Sequence, residues 1–152
     1  MIKYLGSKRL LLPLITATVA ALDTPDAPVN SVTDLFSGTA RVGHALKRAG
    51  YRVRSNDHNA YAATLARCYV AADHEKHAET ATRLLEELSH VTPRADWFTE
   101  TYCVGARYFT PENGARIEAM RGQIAAWSLQ PELEAVLLVA LMEAADRVDS
   151  TV

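Results

Sequence analysis

The chain has 152 residues, of which 49% are hydrophobic and 22% charged, a balance that supports one domain with a sizeable core and argues against disorder. No apolar run reaches the ~20 residues of a membrane span, and no secretory cleavage site follows the apolar stretch after Arg9, so a cytoplasmic protein with no membrane contact is expected. The net charge of −2 conceals an asymmetry: residues 1–60 carry eight Lys/Arg against four acids and the rest eight against fourteen, so contacts to phosphate are expected from the first part.

The chain opens Lys3-Tyr4-Leu5-Gly6-Ser7-Lys8, where an aromatic, a glycine and a lysine stand just ahead of a helix. Such residues can stack on a base, admit a close backbone and meet a carboxylate, although a frayed terminus has the same composition. Leu11, Ile15, Val19 and Leu22 recur at helical spacing, with the helix starting at Ser7 or with Pro13 in its first turn. Residues 23–30, with Pro25, Pro28 and Asn30, form a loop.

Residues 31–36 are a short strand that runs into the small-residue turn Ser37-Gly38-Thr39-Ala40 and then a helix over 41–49 that stops at Gly50. Tyr51 to Asp57 alternates as a second strand that ends in an acid. A strand, a glycine turn and a helix place backbone N–H groups at the carboxyl edge of a sheet, and Asp57 follows Asp34 at the interval at which βαβ nucleotide folds put a carboxylate that accepts from a ribose diol. Gly38 and Gly43 do not form a G-x-G-x-x-G fingerprint and no G-K-[ST] follows, which weighs against nicotinamide and ATP. An ordinary βαβ unit with a surface Asp is the plain alternative.

Beyond Asp57 the pattern is helical. Residues 58–72 place Tyr61, Leu65 and Tyr69 on one side, and residues 74–89 place Ala78, Ala81, Leu85 and Leu88 on a stripe, with Glu86 and Glu87 toward water. His74 and His77 could share a helix face but lack further ligands, so a solvated helix start is expected and no metal. Cys68 and Cys103 are far apart and belong to no CxxC, so neither thiol ligation nor a disulfide is expected. Trp97 to Phe109 concentrates five aromatics, which fit local core better than a lid or a platform for an extruded base. Thr110 and Pro111 start a helix that buries Ile117, Met120, Ile124 and Trp127, and Pro131 starts a last one with a seam of Leu133, Leu137, Ala140, Leu141, Ala144 and Val148.

Three of these motifs, Tyr4-Leu5-Gly6-Ser7-Lys8, Asp34 to Ala40 and Asn56-Asp57, stand in the order and spacing of the Dam-type (D12 class) adenine-specific DNA N6-methyltransferases, and residues 1–60 resemble the amino-terminal half of that family. The resemblance implies an α/β, Rossmann-like S-adenosyl-L-methionine-dependent methyltransferase fold, incomplete and with a helix-rich second half, as a single partial domain over 1–152. It implies S-adenosyl-L-methionine as cofactor, with Tyr4 and Lys8 against it, Phe36 and Gly38 as its wall and floor beside Asp34, and Asp57 on its ribose. Double-stranded DNA is the implied substrate. Where the family usually carries a second glycine, this chain has Thr39-Ala40, a bulkier floor.

The family's D/N-P-P-Y/F/W tetrapeptide, which accepts hydrogen bonds from the adenine amine, does not occur, since none of the six prolines is doubled. The chain is therefore expected to be the cofactor-binding portion, inactive alone, and either a truncated gene product or one half of a split enzyme whose complementary chain carries the motif. A noncatalytic cofactor- or DNA-binding module that docks on another chain, or an unrelated nucleotide-binding domain, is the alternative. The open edge of the 31–36 strand also predicts self-association.

Overall fold

The computed structural model of the chain describes residues 8–149, which divide into two units between Ala72 and Asp73. The first unit begins with a 3₁₀ turn, Lys8–Leu11, which leads into α1 (Leu12–Leu22), with Pro13 in its first turn where no intrahelical N–H is required. Strand β1 (Ser31–Asp34) crosses over through α2 (Arg41–Arg48) to β2 (Arg52–Ser55), which pairs parallel with β1 from Ser31 opposite Arg52 to Asp34 opposite Ser55. A third helix, α3 (Ala60–Ala66), widens into a π-helical turn, Arg67–Ala71.

Alternation decides which way the sheet faces. Val32, Asp34, Val53 and Ser55 are half-buried, whereas Ser31, Thr33, Arg52 and Arg54 are exposed. Helix α2 lies close against the first face at Gly43, where an added Cβ would come within 2.8 Å of Ser55 Oγ and 3.0 Å of Val70 Cγ2. Ala40, Val42, Leu46, Ala62, Leu65 and Val70 make the core of this unit. Gly50, at φ +93°, ends the crossover helix as expected, because only glycine takes that conformation without a Cβ penalty. The apolar stripe expected on α1 is not buried: none of its residues is, and Leu14 and Leu22 are 66% and 64% exposed.

The second unit contains α4 (His74–Ser89), a π-helical turn (Thr99–Gly105), α5 (Pro111–Ala126) and α6 (Pro131–Ala145). Its core joins Ala81, Leu84 and Leu88 of α4 to Ile124 of α5 and Leu133 and Leu137 of α6, with Met120 and Trp127 packed against them. The stripe expected on α4 holds at Ala81 and Leu88 but shifts by one position at its other two places: Leu84 is inside while Leu85 is 39% exposed, and His77, expected in solvent, is buried rather than Ala78. The seam expected on α6 holds at Leu133 and Leu137 but fails at Ala144 and Val148, both exposed. Thr110 caps α5 as expected, its Oγ1 accepting from Asn113 N at 3.3 Å.

Sequence patterning gave no sign of the carboxylate that fixes the 96–99 segment. Glu118 on α5 accepts from Phe98 N at 2.8 Å through Oε1, and from Asp96 N at 2.8 Å, Thr99 N at 3.0 Å and Thr99 Oγ1 at 2.7 Å through Oε2. Desolvation would raise its pKa, but these donors outweigh burial and hold the carboxyl at about 2. The aromatics tethered there form a surface cluster rather than core. Trp97 is 65% and Tyr108 48% exposed, and Tyr102 meets Trp97 edge-on with centroids 5.6 Å apart. The π-helical turn presents only Thr99 and Cys103 to the interior.

Two stability predictions follow from this packing. Gly43→Ala gains helix propensity but crowds Ser55 and the stiff Val70, so denaturant titration should show a net loss of about 1–2 kcal/mol. Glu118→Gln leaves backbone donors short of acceptors and should cost about 1–3 kcal/mol. Because the folded pKa of Glu118 is depressed, its contribution is complete above the ordinary glutamate value of 4.5 and is lost as pH falls toward about 2, so the variant should have the shallower acid limb.

Candidate functional site

At the carboxyl edge of the sheet the two strand-to-helix turns are joined by hydrogen bonds. Asp34 O accepts from Asn56 N at 2.8 Å, Asn56 O accepts from Ser37 N at 3.0 Å, and Asn56 Nδ2 donates to Leu35 O at 3.1 Å. Asp57 completes the join, its Oδ2 accepting from Gly38 N at 2.8 Å and its Oδ1 from Asn59 N at 3.0 Å. Those amides, Asn59 first and then Gly38, pull the Asp57 pKa below the usual carboxylate range against the opposing effect of burial. Each oxygen keeps lone-pair capacity for a further donor. A cleft of about 270 Å³ opens beside it, lined by Val53, Ser55, Asn56, Ala63 and Arg67 among others.

The turn itself is left-handed at two positions. Gly38 has φ +50° with nothing near a notional Cβ, so conformation rather than space calls for glycine there. Ala40 has φ +57° and is fully buried, so the bulkier floor expected at Thr39-Ala40 takes the form of a methyl turned inward at the N-cap of α2. Ala40 N donates to Ser37 O at 2.8 Å, which closes the turn.

Lys8 reaches this edge, donating from Nζ to Phe36 O at 2.9 Å and lying 3.7 Å from Asp34 Oδ1. The structure therefore brings Lys8, Asp34 and Phe36 together, and joins Gly38 to Asp57. Phe36 is 80% exposed, free to act as a wall. Tyr4 lies outside the described residues. Among the described residues the buried side-chain polar atoms without a partner are Asp34 Oδ2, Ser37 Oγ, Arg41 Nε and Ser55 Oγ. All four belong to the strand ends, the turn, or the first residue of α2. Buried polar groups are normally paired, so their gathering at one edge makes it the candidate site. Ser37 and Arg41 were not singled out from the sequence, although both lie in the motif stretch; only the fold makes them buried and unpaired. No group of three or more possible metal-ligating side chains occurs among the described residues.

Residues 4–151 match the family described as D12 class N6 adenine-specific DNA methyltransferase. The chain belongs to this family. A curated relative of this D12 chain, the type II methyltransferase M.NlaIII of Neisseria lactamica, is 31% identical over 156 residues, covering 97% of the chain. The D12 chain spans about half of that relative's length, 46%. No solved structure matches it. The helix-rich architecture with a small parallel sheet is thus that of a methyltransferase-family chain, and no helix among its described residues is long and apolar enough to cross a membrane.

Asp57 generates a pH prediction. Its folded pKa is depressed from 3.8, so the join is intact above that value and weakens as pH falls through the lower folded pKa. Hydrogen exchange at the Gly38 and Asn59 amides should accelerate over that range, beyond the intrinsic pH effect, and Asp57→Asn should abolish this component.

Proposed function

We propose that this chain is the S-adenosyl-L-methionine-binding portion of a DNA adenine-N6 methyltransferase, and that its sheet is the start of a Rossmann-like methyltransferase domain, of which residues 1–152 form one partial domain. The observation that carries this is the carboxyl edge of the sheet, where Asp57 keeps acceptor capacity beside a cleft and four unpartnered buried polar atoms gather around the glycine turn. Asp57 would accept from the ribose hydroxyls, Gly38 would let the backbone approach, Phe36 would cover the ligand from the solvent side, and Tyr4 would lie against it. Lys8, held by Asp34 and the Phe36 carbonyl, fixes the end of β1 at which the sulfonium would sit. When bound, the cofactor supplies an electrophilic methyl group. The protein's part is to hold and orient it, because methyl transfer is in line and its rate depends on alignment.

The sequence lacks the family's D/N-P-P-Y tetrapeptide, the group that accepts from the adenine amine. We therefore place the acceptor site and double-stranded DNA recognition on polypeptide beyond these 152 residues, in cis or on a complementary chain. Among the described residues the two-stranded sheet has both edges unpaired, which supports that completion and equally supports self-association when the complement is missing. A module that binds cofactor and docks without catalysis shares these features and differs in one measurable respect: no complementary chain would restore transfer.

Calorimetric titration with S-adenosyl-L-methionine tests the proposal. The wild-type chain should bind, and Asp57→Ala should weaken binding by about tenfold or more while still melting cooperatively, as expected for lost charge-assisted hydrogen bonds. A folded wild-type chain that does not bind would overturn it.

A further inference from the structure

Arg41 is the first residue of α2, the end where the helix macrodipole is positive and a cation is unfavourable. Nothing local compensates for it: its Nε is buried without a partner, and among the described residues no carboxylate forms an ion pair with its guanidinium. Three residues earlier in the chain than Ala40, Ser37 is 5% exposed with an unpartnered Oγ, and Asp34, whose side chain is 9% exposed, keeps Oδ2 unpartnered although Lys8 stands 3.7 Å from its other oxygen. An unpaired arginine, a buried free hydroxyl and the N-terminal amides of a helix together ask for an anion. The unpartnered Asp34 oxygen asks for a donor at the same turn.

A phosphate of DNA answers only half of this set, because it would bring its charge up to the Asp34 carboxylate. A zwitterion answers both halves. On the basis that S-adenosyl-L-methionine is the ligand of this edge, we infer that Arg41 and Ser37 are specificity-determining residues that clamp the α-carboxylate of the cofactor's amino-acid end, with the N-terminal amides of α2 behind them. They thereby select a ligand carrying that group over the bare thioether nucleoside. Among the described residues the guanidinium is left unpaired, open to a ligand, at the expense of helix stability.

The test compares two ligands on the same chain by calorimetry: S-adenosylhomocysteine, which carries the amino-acid end, and 5′-methylthioadenosine, which lacks it. Wild type should prefer the first. Arg41→Gln should weaken S-adenosylhomocysteine about ten- to hundredfold and leave 5′-methylthioadenosine within about twofold, and Ser37→Ala should show the same selectivity to a smaller degree. Since the Arg41 guanidinium has no hydrogen bond or ion pair among the described residues and opposes the helix dipole, Arg41→Gln should melt no lower than wild type, which separates a lost clamp from a lost fold. An Arg41→Gln chain that keeps the wild-type preference, or that loses both ligands alike, overturns the assignment while leaving the cofactor proposal intact. A wild-type chain that binds neither ligand overturns the cofactor proposal itself, and this inference with it. A DNA-dependent loss in Arg41→Gln with unchanged S-adenosylhomocysteine binding would reassign Arg41 to phosphate and also overturn it.

Discussion

The carboxylate of Asp57 is the constraint on which the first unit depends. It stands just beyond the end of β2, and its two oxygens take the amides of Gly38 and Asn59, so one side chain ties the turn before α2 to the turn before α3. It adds to the Asn56 bonds that already join the strand ends, and it matters because a two-stranded sheet is marginal in water. With it, the left-handed Gly38-Thr39-Ala40 turn is held open at the sheet edge, and Lys8 can reach across to Asp34 and the Phe36 carbonyl. The arrangement fixes backbone first and leaves side-chain polar atoms unspent, which is the order a binding site requires.

Glu118 in the second unit makes an instructive contrast. Both carboxylates collect backbone amides and both have depressed pKa values. Glu118 accepts four hydrogen bonds, three of them on Oε2, and so anchors the 96–99 segment and the aromatic cluster that follows. Asp57 accepts the Gly38 amide on one oxygen and the Asn59 amide on the other, and borders a cleft.

The first unit is also incompletely covered. Helix α1 buries none of its residues, Leu10 is 93% exposed, and one face of the sheet carries the exposed pair Arg52 and Arg54. Parallel sheets are normally covered on both faces and extended by further strands. A D12-family chain that matches about half of its curated relative has apolar and hydrogen-bonding surface of the kind that additional strands and helices would cover.

The sequence by itself determined the corner. Short-range rules were sufficient for it: a strand cannot continue through Ser37-Gly38, a helix stops at Gly50, Thr110 and Pro111 start α5, and Asp57 must fall at the end of the second strand. The family resemblance rested on the same local motifs, and the family match bears it out. Tertiary structure alone decided which faces are buried. A helical period leaves neighbouring stripes on α4 equally apolar, and only packing on Ile124 and Leu137 chose Leu84 over Leu85 and drew His77 inside. The aromatic run looked like core because aromatics usually are, yet Glu118, some twenty residues away, pins its start at the surface, a long-range bond that no local pattern encodes. The unpaired state of Arg41 and Ser37 was likewise invisible in one dimension, because whether a polar atom has a partner depends on every element that folds around it.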